Sequence, residues 1–166
     1  FVRYKKMRND SLIELFKKYN ALLEGHFLLS SGLHSDKYLQ CALVLQYPEL
    51  AEKIAMLLFE EIKKNSNNIL EKITVIVSPA LGGIIIGQEI ARVIKTLVGT
   101  NVRAIFTERN NSGEMVLRRG FNITNKDNVL IIEDVVTTGK STKEVIDVVE
   151  KSNGNTYEKI LKVFKV

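Results

Sequence analysis

The stretch that decides the fold is V-L-I-I-E-D-V-V-T-T-G-K-S-T, which runs from Val129 to Thr142. Its first four residues are all apolar, which is typical of a parallel strand buried on both faces. Two adjacent carboxylates, Glu133 and Asp134, follow at the carboxyl end of this strand. Polar and small residues then lead into a helix that we predict from about Ser141 to Val149. The stretch therefore predicts a strand, a polar loop and a helix in succession.

The loop between this strand and helix suits a phosphate group. The start of a helix offers backbone N–H groups without intrahelical partners, and Gly139 lets an anion approach the backbone closely. The hydroxyl groups between Thr137 and Thr142 add further donors. A helix cap would account for one or two of these residues, but not for an acidic pair together with six polar or small residues from Thr137 to Thr142.

The glycine and lysine of the loop also invite comparison with the nucleotide-binding P-loop. That motif, G-x-x-x-x-G-K-[ST], needs a second glycine at position 134, where this chain has Asp134. An acidic side chain there would repel the phosphates that a P-loop binds. The sequence therefore excludes a P-loop, and the acidic pair suits ribose hydroxyls or a hydrated metal ion instead.

Outside this stretch, apolar runs of strand type alternate with amphipathic runs of helix type. The alternation predicts an α/β fold with a doubly wound, mostly parallel sheet and helices on both of its faces. Ligands bind beyond the carboxyl ends of the strands in such sheets. In chain order we predict a helix from Asp10, a turn-rich segment ending near Tyr38 and a helix from Pro48. We predict strands over 73–77, 102–106, 114–118 and 129–132, a helix that follows Gly82 and Gly83 and runs through Leu97, and a half-exposed strand over 159–166.

Length and composition indicate a single globular domain over 1–166. Of the 166 residues, 45% are hydrophobic and 26% are charged, which is ordinary globular usage. The apolar runs are too short to cross a membrane, since a spanning helix needs about 20 residues, so we predict no membrane association. No signal peptide is recognisable. The single cysteine, Cys41, favours a reducing compartment, so we predict a cytoplasmic protein. The net charge of +5 comes from scattered lysines, and we predict no nucleic-acid partner.

The stretch from Val129 to Thr142 resembles, at every position, the phosphoribosyl diphosphate motif of the type I phosphoribosyltransferases. The resemblance implies that Glu133 and Asp134 bind the ribose hydroxyls and that residues 137–142 surround the 5′-phosphate. It also implies that Mg²⁺ is carried by the diphosphate and needs few protein ligands. The residues that it assigns to phosphoribosyl diphosphate in this stretch are Glu133, Asp134, Val135, Val136, Thr137, Thr138, Gly139, Lys140, Ser141 and Thr142.

Two further segments resemble the orotate phosphoribosyltransferases within that family. Gly25 to Tyr38, G-H-F-L-L-S-S-G-L-H-S-D-K-Y, is similar to the amino-terminal segment that covers the base. This implies a small base-binding part over about 1–45, ahead of an α/β core over about 46–166. Ser78 to Gly83, S-P-A-L-G-G, is similar to the diphosphate-binding loop. The residues so implied are Thr137, Ser30, Ser31, Gly32 and Lys37 for orotate, and Ala80, Leu81, Gly82 and Gly83 for diphosphate.

A third segment, Thr107 to Phe121, is similar to a mobile loop that in this family reaches the active site of the neighbouring subunit. The resemblance implies a homodimer in which loop 107–120 brings Arg109 to the diphosphate. Arg109 then joins the acidic pair as a catalytic group. Arg118 and Arg119 are alternative cations, although an exposed pair of arginines is usually only a solvated surface. The reaction implied is transfer of phosphoribosyl from 5-phosphoribosyl 1-diphosphate to orotate, giving orotidine 5′-phosphate and diphosphate, in pyrimidine biosynthesis.

The chain departs from that family at several positions. Ser30 and the residue before Gly82 stand where many members carry lysines, and residues 110–112 replace a loop lysine and histidine. No arginine follows Arg119 to meet the orotate carboxylate, so Lys165 is the nearest cation in that part of the sequence. Two alternatives therefore stay open, namely a purine phosphoribosyltransferase and a non-catalytic regulator that senses phosphoribosyl diphosphate.

Overall fold

The computed structural model describes residues 9–29, 32–65, 68–153 and 160–165. They form a five-stranded sheet and a separate two-stranded sheet, with helices between the strands. The elements are α1 (Asn9–Lys18), β1 (Leu22–Leu28), β2 (His34–Leu39), α2 (Ala42–Leu45), α3 (Pro48–Asn65), β3 (Val75–Pro79), α4 (Gly83–Val98), β4 (Arg103–Arg109), β5 (Met115–Leu117), β6 (Val129–Glu133), α5 (Lys140–Asn153) and β7 (Ile160–Lys165).

The five-stranded sheet is mostly parallel and has the order β5-β4-β3-β6-β7. β3 pairs in parallel with β4 and β6, β6 pairs in parallel with β7, and β5 is an antiparallel edge strand. Every residue of β3 and β6 is buried, which explains the apolar runs in both strands. The predicted α/β fold with a mostly parallel sheet is confirmed.

Helices cover both faces of the sheet, as predicted. On one face, Ile76 of β3 belongs to a hydrophobic cluster that includes Ile54 of α3 and Ile90 of α4. On the other face, Val77 of β3 belongs to a second cluster that includes Val145 of α5. Successive side chains of a strand point to opposite faces, so each strand of the centre contributes to both clusters.

Helix α4 packs closely against the end of β3 because two of its glycines leave room. A Cβ atom at Gly87 would lie 2.3 Å from Ser78 Oγ, and one at Gly83 would lie 3.0 Å from Ser78 Cβ. Side chains at these positions would push the helix away from the sheet. The glycines therefore allow the first turn of α4 to lie at the carboxyl end of β3.

At the opposite edge of the sheet, the Asp127 carboxylate joins the amino ends of three strands. It accepts hydrogen bonds from the Thr124 N–H at 2.8 Å and the Thr124 hydroxyl at 3.0 Å, and from the Thr74 hydroxyl at 3.1 Å. Arg103 forms an ion pair with it at 3.0 Å. Thr74 precedes β3, Arg103 begins β4 and Asp127 precedes β6, so one buried carboxylate holds these strands in register.

The main difference from the sequence prediction is the turn-rich segment, which forms the antiparallel hairpin of β1 and β2. The pairing register shifts between Glu24 and Phe27, and such a bulge interrupts the alternation by which a strand is recognised. Ser30 and Ser31 lie outside the described residues. The other predicted helices and strands are present, with ends that differ by a few residues. No helix among the described residues is long and apolar enough to cross a bilayer.

Candidate active site

The predicted diphosphate loop and the acidic pair lie side by side at the carboxyl edge of the sheet. β3 and β6 are neighbouring parallel strands, so the loops that follow them leave the sheet at the same edge. A Cβ atom at Gly82 would lie 2.3 Å from Asp134 Oδ2, which places the Asp134 carboxylate directly against the Gly82 backbone. The Ala80 N–H donates to the Thr107 carbonyl at 2.7 Å, which ties the same loop to β4. Leu81 is 84% exposed.

The Asp134 carboxylate lies in a partly buried environment that favours its protonated form. Burial is the main cause that raises its pKa, and the nearby Glu133 charge adds to the effect. Hydrogen bonds from its own N–H and from the Val135 N–H act in the opposite direction and are outweighed. A carboxylate with these neighbours retains acceptor capacity for the hydroxyl groups of a ligand.

The Glu133 carboxylate faces the start of helix α5. Glu133 is 4% exposed, and its two oxygens accept hydrogen bonds from the Ser141 and Thr142 hydroxyls. These contacts satisfy a buried charge that would otherwise be costly. Two of the hydroxyls predicted to bind phosphate are thus engaged within the protein, and the predicted role of Glu133 at the ribose remains a prediction.

The loop predicted to bind phosphate, from Thr137 to Lys140, is largely exposed at the helix start. Thr137, Thr138 and Lys140 are exposed, and Gly139 has φ +77°, a left-handed conformation that favours glycine. The Lys143 N–H donates to the Gly139 carbonyl at 2.9 Å, which closes the first turn of the helix. The Lys140 N–H donates to the Thr138 hydroxyl at 3.4 Å. Backbone amides at a helix start generally lack intrahelical partners, which is what an anion site requires.

Cys41 is a residue of this site that sequence reasoning missed. It follows the hairpin, is fully buried, and its Sγ donates to the Asp134 carbonyl at 3.6 Å. Burial raises the pKa of the thiol to about 12, and the Asp134 charge adds to this effect. The thiol is therefore protonated at neutral pH. Among the residues that the structure describes, no group of three or more His, Cys, Asp or Glu side chains has the arrangement of a metal site.

Arg109, the predicted diphosphate cation, lies at the end of β4 in a short hairpin with β5. Its guanidinium donates to the Gly113 carbonyl at 2.6 Å and to Glu144 Oε2 of α5 at 2.5 Å. The structure therefore places Arg109 against its own chain, and the predicted reach into a neighbouring subunit remains a prediction. Arg118 and Arg119 both pair with Glu108, at 3.8 and 3.0 Å, which favours a surface role for these two arginines.

The predicted orotate residues are only partly described. Gly32 has φ +81° and its N–H donates to the Leu29 carbonyl at 2.9 Å, within the turn of the hairpin. Lys37 is exposed and lies opposite Glu24 in the β1–β2 register. The rings of His26 and His34 form a hydrogen bond of 2.7 Å across the same hairpin. Thr137 is exposed in the phosphate loop, so an orotate contact from Lys37 or Thr137 remains a prediction.

The chain is similar to known proteins over most of its length. A family model described as the phosphoribosyl transferase domain matches residues 44–161. The orotate phosphoribosyltransferase of Caldicellulosiruptor bescii is 49% identical over 148 residues, which cover 89% of this chain and 71% of that protein. The orotate phosphoribosyltransferase of Chlorobium phaeobacteroides is 47% identical over 148 residues, which cover 88% of this chain and 69% of that protein.

Solved structures share the fold at lower identity. The orotate phosphoribosyltransferase of Francisella tularensis aligns with a TM-score of 0.59 and 22% identity, covering 93% of this chain and 69% of that one. The adenine phosphoribosyltransferase of Saccharomyces cerevisiae aligns with a TM-score of 0.62 and 16% identity, covering 93% of this chain and 88% of that one. The fold comparison therefore does not separate a pyrimidine from a purine substrate, whereas the sequence identity favours orotate.

Proposed function

The chain belongs to the phosphoribosyl transferase family, and from its identity to the orotate phosphoribosyltransferases of that family we propose that it transfers phosphoribosyl from 5-phosphoribosyl 1-diphosphate to orotate. The products are orotidine 5′-phosphate and diphosphate, and the role is in pyrimidine biosynthesis. The observation that carries the proposal is the contact between Asp134 and Gly82. This contact brings a loop suited to a ribose phosphate next to a loop suited to diphosphate. Ribose phosphate and diphosphate are the two ends of 5-phosphoribosyl 1-diphosphate.

The sugar end is assigned to the loop after β6. The backbone amides from Thr137 to Lys140 are assigned to the 5′-phosphate, and the Asp134 carboxylate is assigned to the ribose hydroxyls, from which it would accept hydrogen bonds. Transfer at the anomeric carbon passes through an oxocarbenium-like state, as in glycosyl transfer generally. A carboxylate beside the ribose favours that positive charge, and the anchored phosphate holds the anomeric carbon in place.

The diphosphate end is assigned to the Ala80–Gly83 loop, where the backbone amides at the start of α4 face the same edge as Asp134. Mg²⁺ fits this arrangement, because it prefers oxygen ligands, retains most of its waters and needs few protein ligands. The diphosphate would carry the ion without a direct protein ligand, since the Glu133 oxygens are engaged by Ser141 and Thr142 and Asp134 is assigned to the ribose hydroxyls. When bound, the ion neutralises charge on the departing diphosphate, and Arg109 adds a cation from the protein.

The base is assigned to the hairpin of β1 and β2 together with Thr137. The residues proposed for orotate are Thr137, Ser30, Ser31, Gly32 and Lys37. Donors of this kind are required because burying the orotate carboxylate without partners would cost several kcal/mol. A homodimer in which loop 107–120 serves the neighbouring site is part of the same proposal and rests on the family resemblance.

The test is initial-rate measurement with orotate, uracil, adenine and hypoxanthine, each with 5-phosphoribosyl 1-diphosphate and Mg²⁺. Sites built to hydrogen-bond a substrate group discriminate strongly against analogues that lack it. We expect kcat/KM for orotate to exceed that for uracil by at least about a hundredfold, which corresponds to about 2.7 kcal/mol. Preference for a purine would replace orotate in the proposal. Binding of 5-phosphoribosyl 1-diphosphate without turnover of any base would indicate a sensor instead of an enzyme.

A further inference from the structure

The Arg109 guanidinium is already engaged in a close ion pair. Nη2 donates to Glu144 Oε2 at 2.5 Å, and Nη1 donates to the Gly113 carbonyl at 2.6 Å. Glu144 lies on α5, one helical turn after Lys140, which begins the helix. In this pair the carboxylate occupies Nη2 of the guanidinium, one of the nitrogens that a second anion would use. A diphosphate that binds the Nη2 group of Arg109 must therefore compete with Glu144.

The backbone around Arg109 is fixed independently of this ion pair. The Asn110 side-chain oxygen accepts hydrogen bonds from the Ser112 N–H at 3.0 Å and the Glu114 N–H at 2.9 Å. The Asn110 N–H donates to the Glu114 carbonyl at 2.9 Å. Since these bonds close the turn between β4 and β5 without Glu144, the part that can exchange partners is the Arg109 side chain.

The ion pair is suited to exchange because it is partly solvated. The side chains of Arg109 and Glu144 are 47% and 27% exposed, and ion pairs with this exposure contribute little to stability. Diphosphate carries more negative charge than one carboxylate and offers oxygens for a bidentate contact with the guanidinium. A polyanion can therefore displace Glu144, and release of the polyanion restores the original pair.

We propose that Glu144 is a positioning residue that holds the Arg109 guanidinium between turnovers and competes with diphosphate for it. The proposal rests on the assigned phosphoribosyl transfer, and it applies whether Arg109 serves its own site or that of a neighbouring subunit. The proposal predicts the direction in which the diphosphate affinity changes. Removal of the Glu144 charge should tighten diphosphate binding, whereas general damage to the site would weaken it.

The experiment is calorimetric titration of the full chain with inorganic diphosphate in the presence of Mg²⁺. We expect Glu144→Gln to tighten binding roughly two- to fivefold, a range set by the weakness of partly exposed ion pairs. Asp147→Asn is the matched control, because it removes one carboxylate from an exposed position of the same helix, and it should change the affinity less. Arg109→Ala should weaken binding, and Glu144→Gln should then add no further tightening in that background.

Two results would overturn the proposal. One is diphosphate affinity in Glu144→Gln that is unchanged or weaker than in the parent. The other is an Arg109→Ala variant that binds diphosphate as well as the parent, a result that does not depend on the Glu144 variants. Because the titration measures binding without turnover, either result is distinguishable from failure of the assigned reaction, which would appear as absence of orotate turnover in the unaltered protein.

Discussion

Gly82→Ala is the substitution that tests most directly whether Asp134 and the diphosphate loop act as one unit. The added Cβ atom would lie 2.3 Å from Asp134 Oδ2, whereas ordinary contact begins at 3.4 Å. The carboxylate or the loop must therefore move by about 1 Å. A displacement of this size at a reacting centre costs on the order of a hundredfold in rate, which equals about 2.7 kcal/mol of transition-state stabilisation.

The same substitution should leave the fold intact, because the backbone at Gly82 has φ −58° and ψ −41°. Alanine adopts this helical backbone conformation without strain, and it restricts the conformations of the unfolded chain more than glycine does. Gly99→Ala at the other end of α4 is the matched control, since Gly99 has φ +82° and no atom within 4 Å of an added Cβ. It should lower stability by about 1 kcal/mol through backbone strain and leave kcat unchanged.

The assay is steady-state kinetics with orotate, paired with thermal unfolding of each variant. Asp134→Ala supplies the remaining arm of a double-mutant cycle. If Gly82→Ala acts by displacing the carboxylate, the double variant should be no slower than Asp134→Ala alone. Activity of Gly82→Ala within threefold of the parent would refute the reasoning. It would also be refuted if Gly82→Ala lowered the activity of Asp134→Ala by the same factor as it lowers the activity of the parent.

Three further predictions follow from the site and its support. Asp134→Asn should lower kcat at least tenfold, or about 1.4 kcal/mol, with an unchanged melting temperature; activity within twofold of the parent would remove the carboxylate from the mechanism. Mixing inactive Arg109→Ala and Asp134→Asn subunits should restore activity if Arg109 serves a neighbouring site, and no recovery after verified subunit exchange would place Arg109 in its own site. Asp127→Asn should destabilise the fold by about 2 kcal/mol at pH 7, because charged hydrogen bonds and the Arg103 pair are lost. The net pKa of Asp127 is lowered: burial alone would raise it, but the hydrogen bonds from Thr124 and Thr74 and the Arg103 charge outweigh burial. The stabilisation by the Asp127 carboxylate is therefore present above the pKa of the unfolded chain, near 3.9, and is lost as the pH falls through the lower pKa of the folded protein. Chemical denaturation of the parent and of Asp127→Asn from pH 7 to pH 3 should show the difference between their free energies of unfolding shrinking.

Local patterns predicted the parts of the fold that depend on burial of a single strand or one helix face. The runs 75–77 and 129–132 are apolar because helices cover both sides of β3 and β6, and periodicity reports such burial directly. The hairpin was missed because its bulge between Glu24 and Phe27 breaks the alternation. Its strands are also largely exposed, so they carry little apolar signal.

Contacts between distant residues were beyond the reach of local patterns. Cys41 meets the Asp134 carbonyl across 93 positions, and Arg109 meets Glu144 across 35. Neither pair has a spacing that a helix or strand would impose, since both depend on how separate elements pack. The acidic pair was recognised because its two members are adjacent in the sequence, but the partners of each member required the structure.

The different surroundings of Glu133 and Asp134 follow from their position at the end of one strand. Successive side chains of a strand point to opposite faces, and the α5 face of β6 contains Val129 and Ile131. Glu133 continues that face and therefore meets the Ser141 and Thr142 hydroxyls of α5. Asp134 follows Ile132 on the face of α4, where it meets Gly82 and Cys41. The Glu133 carboxylate is thus bound to α5. The Asp134 carboxylate lies instead between the loops that follow β3 and β6, where the sugar and the diphosphate of the proposed substrate would join.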